Sequence, residues 1–419
     1  MAVEITRLEN GVHVITDAMP HLQTVALGTW VRAGARDERP DQNGIAHMLE
    51  HMAFKGTTRR DAMQIAKEIE AAGGEINAST AMETTAYYAR VLKDDWKLAL
   101  DILADILIDP IFDAGELARE QDVILQEIAA ANDTPDDLVF DLAQTAAYPE
   151  HPLGRSILGT AERVAAYAVS DITGYRDTHY TGERIVVSAA GNIDHNAMVE
   201  EARARLATLK LGSGNSWKAP EFAGGPQFVE RPLDQTHIVL SFPGVAYNDD
   251  SIMAQQVLAG VLGGGMSSRL FQEVREKRGL CYSVFAFASS YADGGNISVY
   301  AATAPDKSAE LVSVTSDVIL SLFDNIDEDE LDRTKAQIKA SLVMSLESAS
   351  SRCDQIARQF FAFGKVPDIT EFVARVDAVS VDELKALAAR LFRHPQPALA
   401  AVGDLSGLAT YEQMAARFA

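Results

Sequence analysis

Two stretches of the chain carry the same order of elements, on either side of a segment punctuated by Gly212, Gly214, Pro220, Gly224, Gly225 and Pro226. A duplication of this kind restricts the fold to two related domains. In the first half a turn signal at Asn10-Gly11 leads to an apolar strand, Thr24 to Val31, and a helical stretch, Ile45 to Phe54. In the second, a strand from Thr236 to Pro243 precedes a helical stretch from Ile252 to Leu262. Two strand runs follow in each half, Glu75 to Thr80 and Thr84 to Leu92, then Cys281 to Ser289 and Asn296 to Ala302. An amphipathic helix comes next, Trp96 to Leu107 or Ser308 to Phe323, and a longer charged one after it, Ala114 to Ala131 or Glu328 to Leu346. Each half closes on a helix, a short strand and a turn, at Ala190 to Asp194 and at Val402 to Ser406. Regular βαβ alternation is absent, so the order predicts an α+β fold of two homologous domains, each a largely antiparallel sheet packed with helices. The expected boundaries are 1–211 for the first domain, 212–227 for a linker and 228–419 for the second.

With 419 residues, 47% hydrophobic and 23% charged, each domain can bury a core, and no disordered or fibrous bias is present. Sixty acidic against 37 basic side chains give a net charge of −23, with no long basic run. That balance argues against nucleic-acid binding and favours cationic partners. Cys281 and Cys353 are the two cysteines and form no CxxC, so neither a disulfide framework nor a thiolate zinc site is expected. The N-terminus lacks a basic stretch followed by an apolar one, and no run of about 18 apolar residues occurs. The expectation is a cytoplasmic protein without a membrane anchor.

His47-Met48-Leu49-Glu50-His51 carries the chemistry. Positions i and i+4 of a helix share a face, so His47 and His51 can turn imidazole nitrogens toward one metal ion, with Glu50 beside them at i+3. With 9 histidines in the chain, chance produces such an HxxEH pattern on the order of 0.01 times. Zinc suits neutral imidazole and carboxylate ligands, and Glu50 is placed to act as general base on a water. Two histidines leave a ligand to be found. Glu120 and Glu127, seven apart on one face of the charged helix, are both candidates, and either could equally be a surface charge.

HxxEH followed by a glutamate 76 residues after the second histidine resembles the inverzincin signature of the M16 peptidases, the group of pitrilysin, insulin-degrading enzyme and mitochondrial processing peptidase. The resemblance continues through Gly44-Ile45-Ala46, Phe54-Lys55-Gly56-Thr57, Asn77-Ala78-Ser79-Thr80 and Glu83-Thr84-Thr85, and spans essentially the whole chain. It implies that His47, His51 and Glu127 bind one zinc ion, that Glu50 activates the water, and that Glu120 supports the ligands from behind. It also implies that Asn77, Ala78 and Ser79 lie on an edge strand that pairs with an extended substrate; an ordinary covered edge is the alternative.

In the second half, Arg275 and Tyr282 match the family's Arg/Tyr pair, which holds substrate and donates to a developing oxyanion, with Arg278 an adjacent alternative. Gly263-Gly264-Gly265 lacks the Lys-Ser/Thr of a phosphate loop and is read as a helix end. The other seven histidines are read as surface or satisfied core residues, and Trp30, Trp96 and Trp217 show no stacking pattern. Family members enclose a chamber with four related domains, and this chain supplies two. The resemblance therefore implies an endopeptidase for unfolded, possibly basic or presequence-like peptides, working as a homodimer whose active sites join the metal motif of one subunit to Arg275 and Tyr282 of the other. The rivals are the catalytic subunit of a heterodimer, a non-catalytic scaffold of the same fold, and a zinc carrier.

Overall fold

The structure, a computed structural model, describes residues 3–212 and 216–419, so residues 1–2 of the expected first domain and residues 213–215 of the expected linker, Gly214 among them, lie outside the described residues. Strands β1 (Glu4–Arg7), β2 (His13–Ala18), β3 (Thr24–Val31), β4 (Glu75–Thr80), β5 (Thr85–Leu92) and β6 (Ile185–Gly191) form one sheet in the order β1-β2-β6-β3-β5-β4. Strands β7 (Gly225–Glu230), β8 (Thr236–Pro243), β9 (Cys281–Ser290), β10 (Gly295–Thr303) and β11 (Ala398–Gly403) form the other, in the order β7-β11-β8-β10-β9. Apart from the extra β1, the two orders match strand for strand. Each sheet has one parallel joint at the corresponding place, β2 with β6 and β7 with β11, and is otherwise antiparallel. The α+β duplication read from the sequence is thus present in the topology.

β3 and β6 are buried along nearly their whole length, which for a strand means that both faces of the sheet are covered. On one face Leu27 and Val31 meet Met48, Leu49 and the Trp96–Ile108 helix. On the other, Ile15, Trp30, Val186 and Ala190 meet Ala349, Cys353, Ile356 and Ala357 of a helix far downstream, Ala349–Phe363. The second sheet is built alike: Leu240 and Phe242 pack with the Ile252–Gly263 helix, and Val239, Tyr300 and Val402 are covered by Val139 and Ala143 of the Pro135–Ala147 helix. Each compact unit is therefore discontinuous. The first takes in Val343–Val366, and the second takes in Ala130–Arg155. The division into 1–211 and 228–419 follows chain order, whereas the units follow burial, because an apolar sheet face accepts whichever amphipathic helix can reach it. β7 also begins at Gly225, within the segment expected to be linker.

Trp217, whose place in the sequence shows no stacking pattern, stands with the Arg32 and Arg36 guanidiniums 5.2 and 4.8 Å from its ring centre, and its Nε1 donates to Asp37 at 3.2 Å. Among the described residues, no helix is long and apolar enough to cross a membrane.

Trp30 is 1% exposed and its Nε1 donates to Asp354 of the covering helix at 3.2 Å. Trp30→Ala is expected to cost about 3–5 kcal/mol, checked by denaturant unfolding followed by circular dichroism. An unchanged midpoint would contradict the packing of the Ala349–Phe363 helix on this face.

Candidate metal centre

The Ile45–Ala53 helix starts where the backbone turns through Gly44 at φ +96°, a position at which a Cβ would lie 2.7 Å from the Leu158 carbonyl oxygen. The buried Glu38 carboxylate accepts from the Gly44 and Ala46 N–H groups at 2.9 Å each, answering the free donors and the positive end of the helix. Ile45, Ala46, Met48, Leu49, Met52 and Ala53 are buried. Helical geometry leaves His47, Glu50 and His51 on the remaining strip, where they are half-buried.

His47 Nε2 and His51 Nε2 each lie 3.7 Å from Glu127 Oε2 on the Ala114–Asp133 helix, and among the described residues these three are the group able to hold a metal ion. Tetrahedral zinc with bonds of about 2.0–2.2 Å sets its ligand atoms about 3.3–3.6 Å apart, so the donor set fits in kind and in spacing. The two glutamates that periodicity leaves equivalent stand at opposite nitrogens of the His51 ring. Glu120, with its side chain 6% exposed, places Oε2 2.9 Å from Nδ1 and Oε1 2.7 Å from the Lys55 ammonium. A carboxylate that accepts from Nδ1–H leaves the Nε2 lone pair free. Burial, and then the neighbouring His51, push His47 down to about 4, so its imidazole stays neutral near pH 7.

Thr80, the last residue of β4, donates its hydroxyl to Glu50 Oε2 at 2.5 Å. Burial raises the Glu50 carboxyl above its ordinary range, and the Thr80 bond opposes that rise. β4 ends the sheet and pairs on one side with β5, Asn77 opposite Tyr88, Ala78 opposite Tyr87 and Ser79 opposite Ala86. Asn77 and Ser79 are exposed, and the Ala78 N–H donates to the Asn77 side chain at 2.8 Å. A cavity of about 610 Å³ is lined by Glu75, Asn77 and Ser79 of β4, by Arg90, and by Asp354 and Arg358 of the Ala349–Phe363 helix.

Arg275 and Tyr282 belong to the second unit. The Phe271–Glu276 turn is wound wider than an α-helix, the Lys277 N–H donating five residues back to Gln272 at 3.0 Å. It sets the Arg275 guanidinium 4.8 Å from the Tyr282 ring centre, with that tyrosine 80% exposed. Arg278 is occupied by Glu273 at 2.7 Å. The glycine run ends the Ile252–Gly263 helix as expected, and a Cβ at Gly263 would stand 2.3 Å from the Ala286 backbone nitrogen, so close packing on β9 accounts for that glycine. Among the other histidines, His195 bonds to the Thr6 and Thr16 hydroxyls at 2.8 Å each, and His179 stands 2.7 Å from Arg184. Thr80 and Lys55 stand in stretches that carry the family resemblance, which gives neither a role. Nothing in the spacing of either points to its partner.

Residues 13–161 match the family described as Insulinase (Peptidase family M16), and residues 168–338 match the one described as Peptidase M16 inactive domain. An uncharacterized zinc protease of Rickettsia felis is 39% identical over 389 residues, covering 93% of this chain and 94% of the relative. The uncharacterized zinc protease YmxG of Bacillus subtilis is 37% identical over 385 residues, 92% of this chain and 94% of the relative. The crystal structure of a peptidase M16 inactive domain from Pseudomonas fluorescens superposes with a TM-score of 0.91 at 21% identity, covering 98% of this chain and 99% of that one, a likeness of fold.

In the metal-free protein His47 is expected to stay neutral until the pH falls to about 4, against an ordinary value of 6.5. With the folded pKa below the unfolded one, protons bind the unfolded chain first, so stability is lost as pH falls from about 6.5 toward 4. Titration of the ring protons by NMR, with His47→Gln for assignment, checks this; a midpoint near 6.5 would contradict the burial argument.

Proposed function

The chain belongs to peptidase family M16, and from that premise we propose that it is a zinc-dependent endopeptidase acting on unfolded peptides. The observation that carries the reading is the convergence of His47 Nε2, His51 Nε2 and Glu127 Oε2, with Glu50 on the same helical strip. In this reading His47, His51 and Glu127 hold one zinc ion, which supplies Lewis acidity and lowers the pKa of a water toward about 7. Glu50 would take the proton of the attacking water and return it to the leaving amine. Thr80 fixes the Glu50 carboxylate, and Glu120 fixes the His51 ring.

The free edge of β4 supports docking of an extended substrate by backbone pairing at Asn77, Ala78 and Ser79. The Ala78 N–H would exchange the Asn77 side chain for substrate, and alternate substrate side chains would face the cavity beside Asn77 and Ser79. Arg275 and Tyr282 are assigned to hold substrate and donate to the oxyanion, each site drawing them from a second copy in a closed dimeric chamber; the exposure of Tyr282 supports a group that completes a site with a partner. The charge of −23 favours basic, presequence-like substrates.

Purified protein is expected to cleave a quenched-fluorescent basic peptide, and a chelator to abolish that cleavage. Glu50→Gln is expected to retain zinc while losing at least about 100-fold in rate. Cleavage that survives in Glu50→Gln would contradict the assigned base, and absence of cleavage by zinc-loaded wild type would favour the heterodimer or scaffold readings.

Mixing inactive His47→Ala and Tyr282→Phe proteins is expected to restore up to about a quarter of the wild-type sites, the statistical share of a freely exchanging dimer. No recovery despite demonstrated subunit exchange would contradict sites formed in trans.

A further inference from the structure

We propose that Lys55 is a positioning residue of the metal centre: its ammonium fixes the Glu120 carboxylate, and through it the His51 ring, for metal binding. The inference rests on the reading of His47, His51 and Glu127 as a metal site.

Lys55 Nζ lies 2.7 Å from Glu120 Oε1, and Glu120 Oε2 lies 2.9 Å from His51 Nδ1. Each carboxylate oxygen thus has its own partner, which fixes the rotation of the group as well as its place. The Glu120 side chain is 6% exposed, so its charge depends on these neighbours and not on water. Lys55 is itself held from both sides. Its backbone N–H donates to the Met52 carbonyl at 3.2 Å, closing the turn that follows the Ile45–Ala53 helix, and Gly56 then turns the chain at φ +129°. Beyond Gly56, the Thr57 hydroxyl donates to Asp105 at 2.7 Å, and Arg60 reaches Asp105 at 2.9 Å and Asp101 at 2.6 Å. The Asp105 carboxylate is fully buried, which makes this turn a fixed anchor on the Trp96–Ile108 helix. The path Lys55 to Glu120 to His51 therefore runs from a clamped turn to the Nδ1 side of a ligand ring whose Nε2 faces Glu127. Without Lys55 the carboxylate keeps one partner in place of two and can swing away from the imidazole.

The test is zinc affinity of the full-length, metal-free protein, measured by competition with a chromophoric chelator. Partners behind a ligand are worth about 10–100-fold in metal affinity, and Lys55→Met is expected at the lower end, about 10-fold weaker than wild type. Lys55→Arg, which keeps the charged pairing, is expected within about 3-fold of wild type. Because Lys55 acts through Glu120, the double variant Lys55→Met with Glu120→Gln is expected to bind no more weakly than Glu120→Gln alone. Lys55→Gln makes the same comparison should Lys55→Met fail to fold. Lys55→Met affinity equal to wild type, or losses in the double variant that multiply, would overturn the positioning role and leave the metal site standing. Wild-type protein that takes up no zinc would overturn the metal reading, and this inference with it.

Discussion

Burial of the Ile45–Ala53 helix on every side but one is the constraint on which the centre depends. Nine residues make about two and a half turns, too few to be stable alone, so the helix exists because six apolar side chains are buried against the first sheet and its other helices. That burial fixes its rotation, and the rotation decides that His47, Glu50 and His51 share the remaining strip. Glu38 then fixes where the helix begins, through the Gly44 and Ala46 N–H groups. Once axis, rotation and start are set, the two imidazoles can face only a narrow region, and Glu127 enters it from the Ala114–Asp133 helix.

The second half shows what the same architecture becomes without metal-ligating side chains, for the strip its helix leaves unburied carries Met253, Gln256 and Gly260. The Ile252–Gly263 helix follows β8 as Ile45–Ala53 follows β3, yet Ile252, Ala254, Gln255, Val257, Leu258, Val261 and Leu262 are all buried. Its one large polar side chain in the core, Gln255, is absorbed structurally, accepting from the Val245 N–H at 2.7 Å and donating to Ser290 at 3.2 Å. The duplicated fold has thus kept two cores, while the candidate metal group lies in the first. In the second, the notable side chains are Arg275 and the exposed Tyr282, stacked at the start of β9.

Much of this was legible from periodicity. Two histidines four apart must share a helical face, and a 3.6-residue stripe or an alternating run declares helix or strand without tertiary help. Glu120 and Glu127 show where periodicity stops. Seven residues return to the same face but advance about 10 Å along the axis, and which acid meets which nitrogen of His51 is set by how a second helix is placed. Lys55 and Thr80 were hidden for the same reason, since their partners lie on other elements. The Ala349–Phe363 helix declares an apolar face through Cys353, Ile356 and Ala357. The pattern says that such a face needs cover, and the choice of sheet follows from chain reach and shape. Trp217 likewise meets Arg32 and Arg36 only in the folded chain.

The central claim is that one zinc ion is held by the two imidazoles of this strip and the Glu127 carboxylate that faces them. X-ray absorption at the zinc edge, on protein loaded with one equivalent, tests it most directly. The account predicts two imidazole ligands at about 2.0–2.1 Å with the remaining positions filled by oxygen, and one imidazole in His51→Ala. Sulfur in the first shell, or an imidazole count unaltered by that substitution, would contradict it.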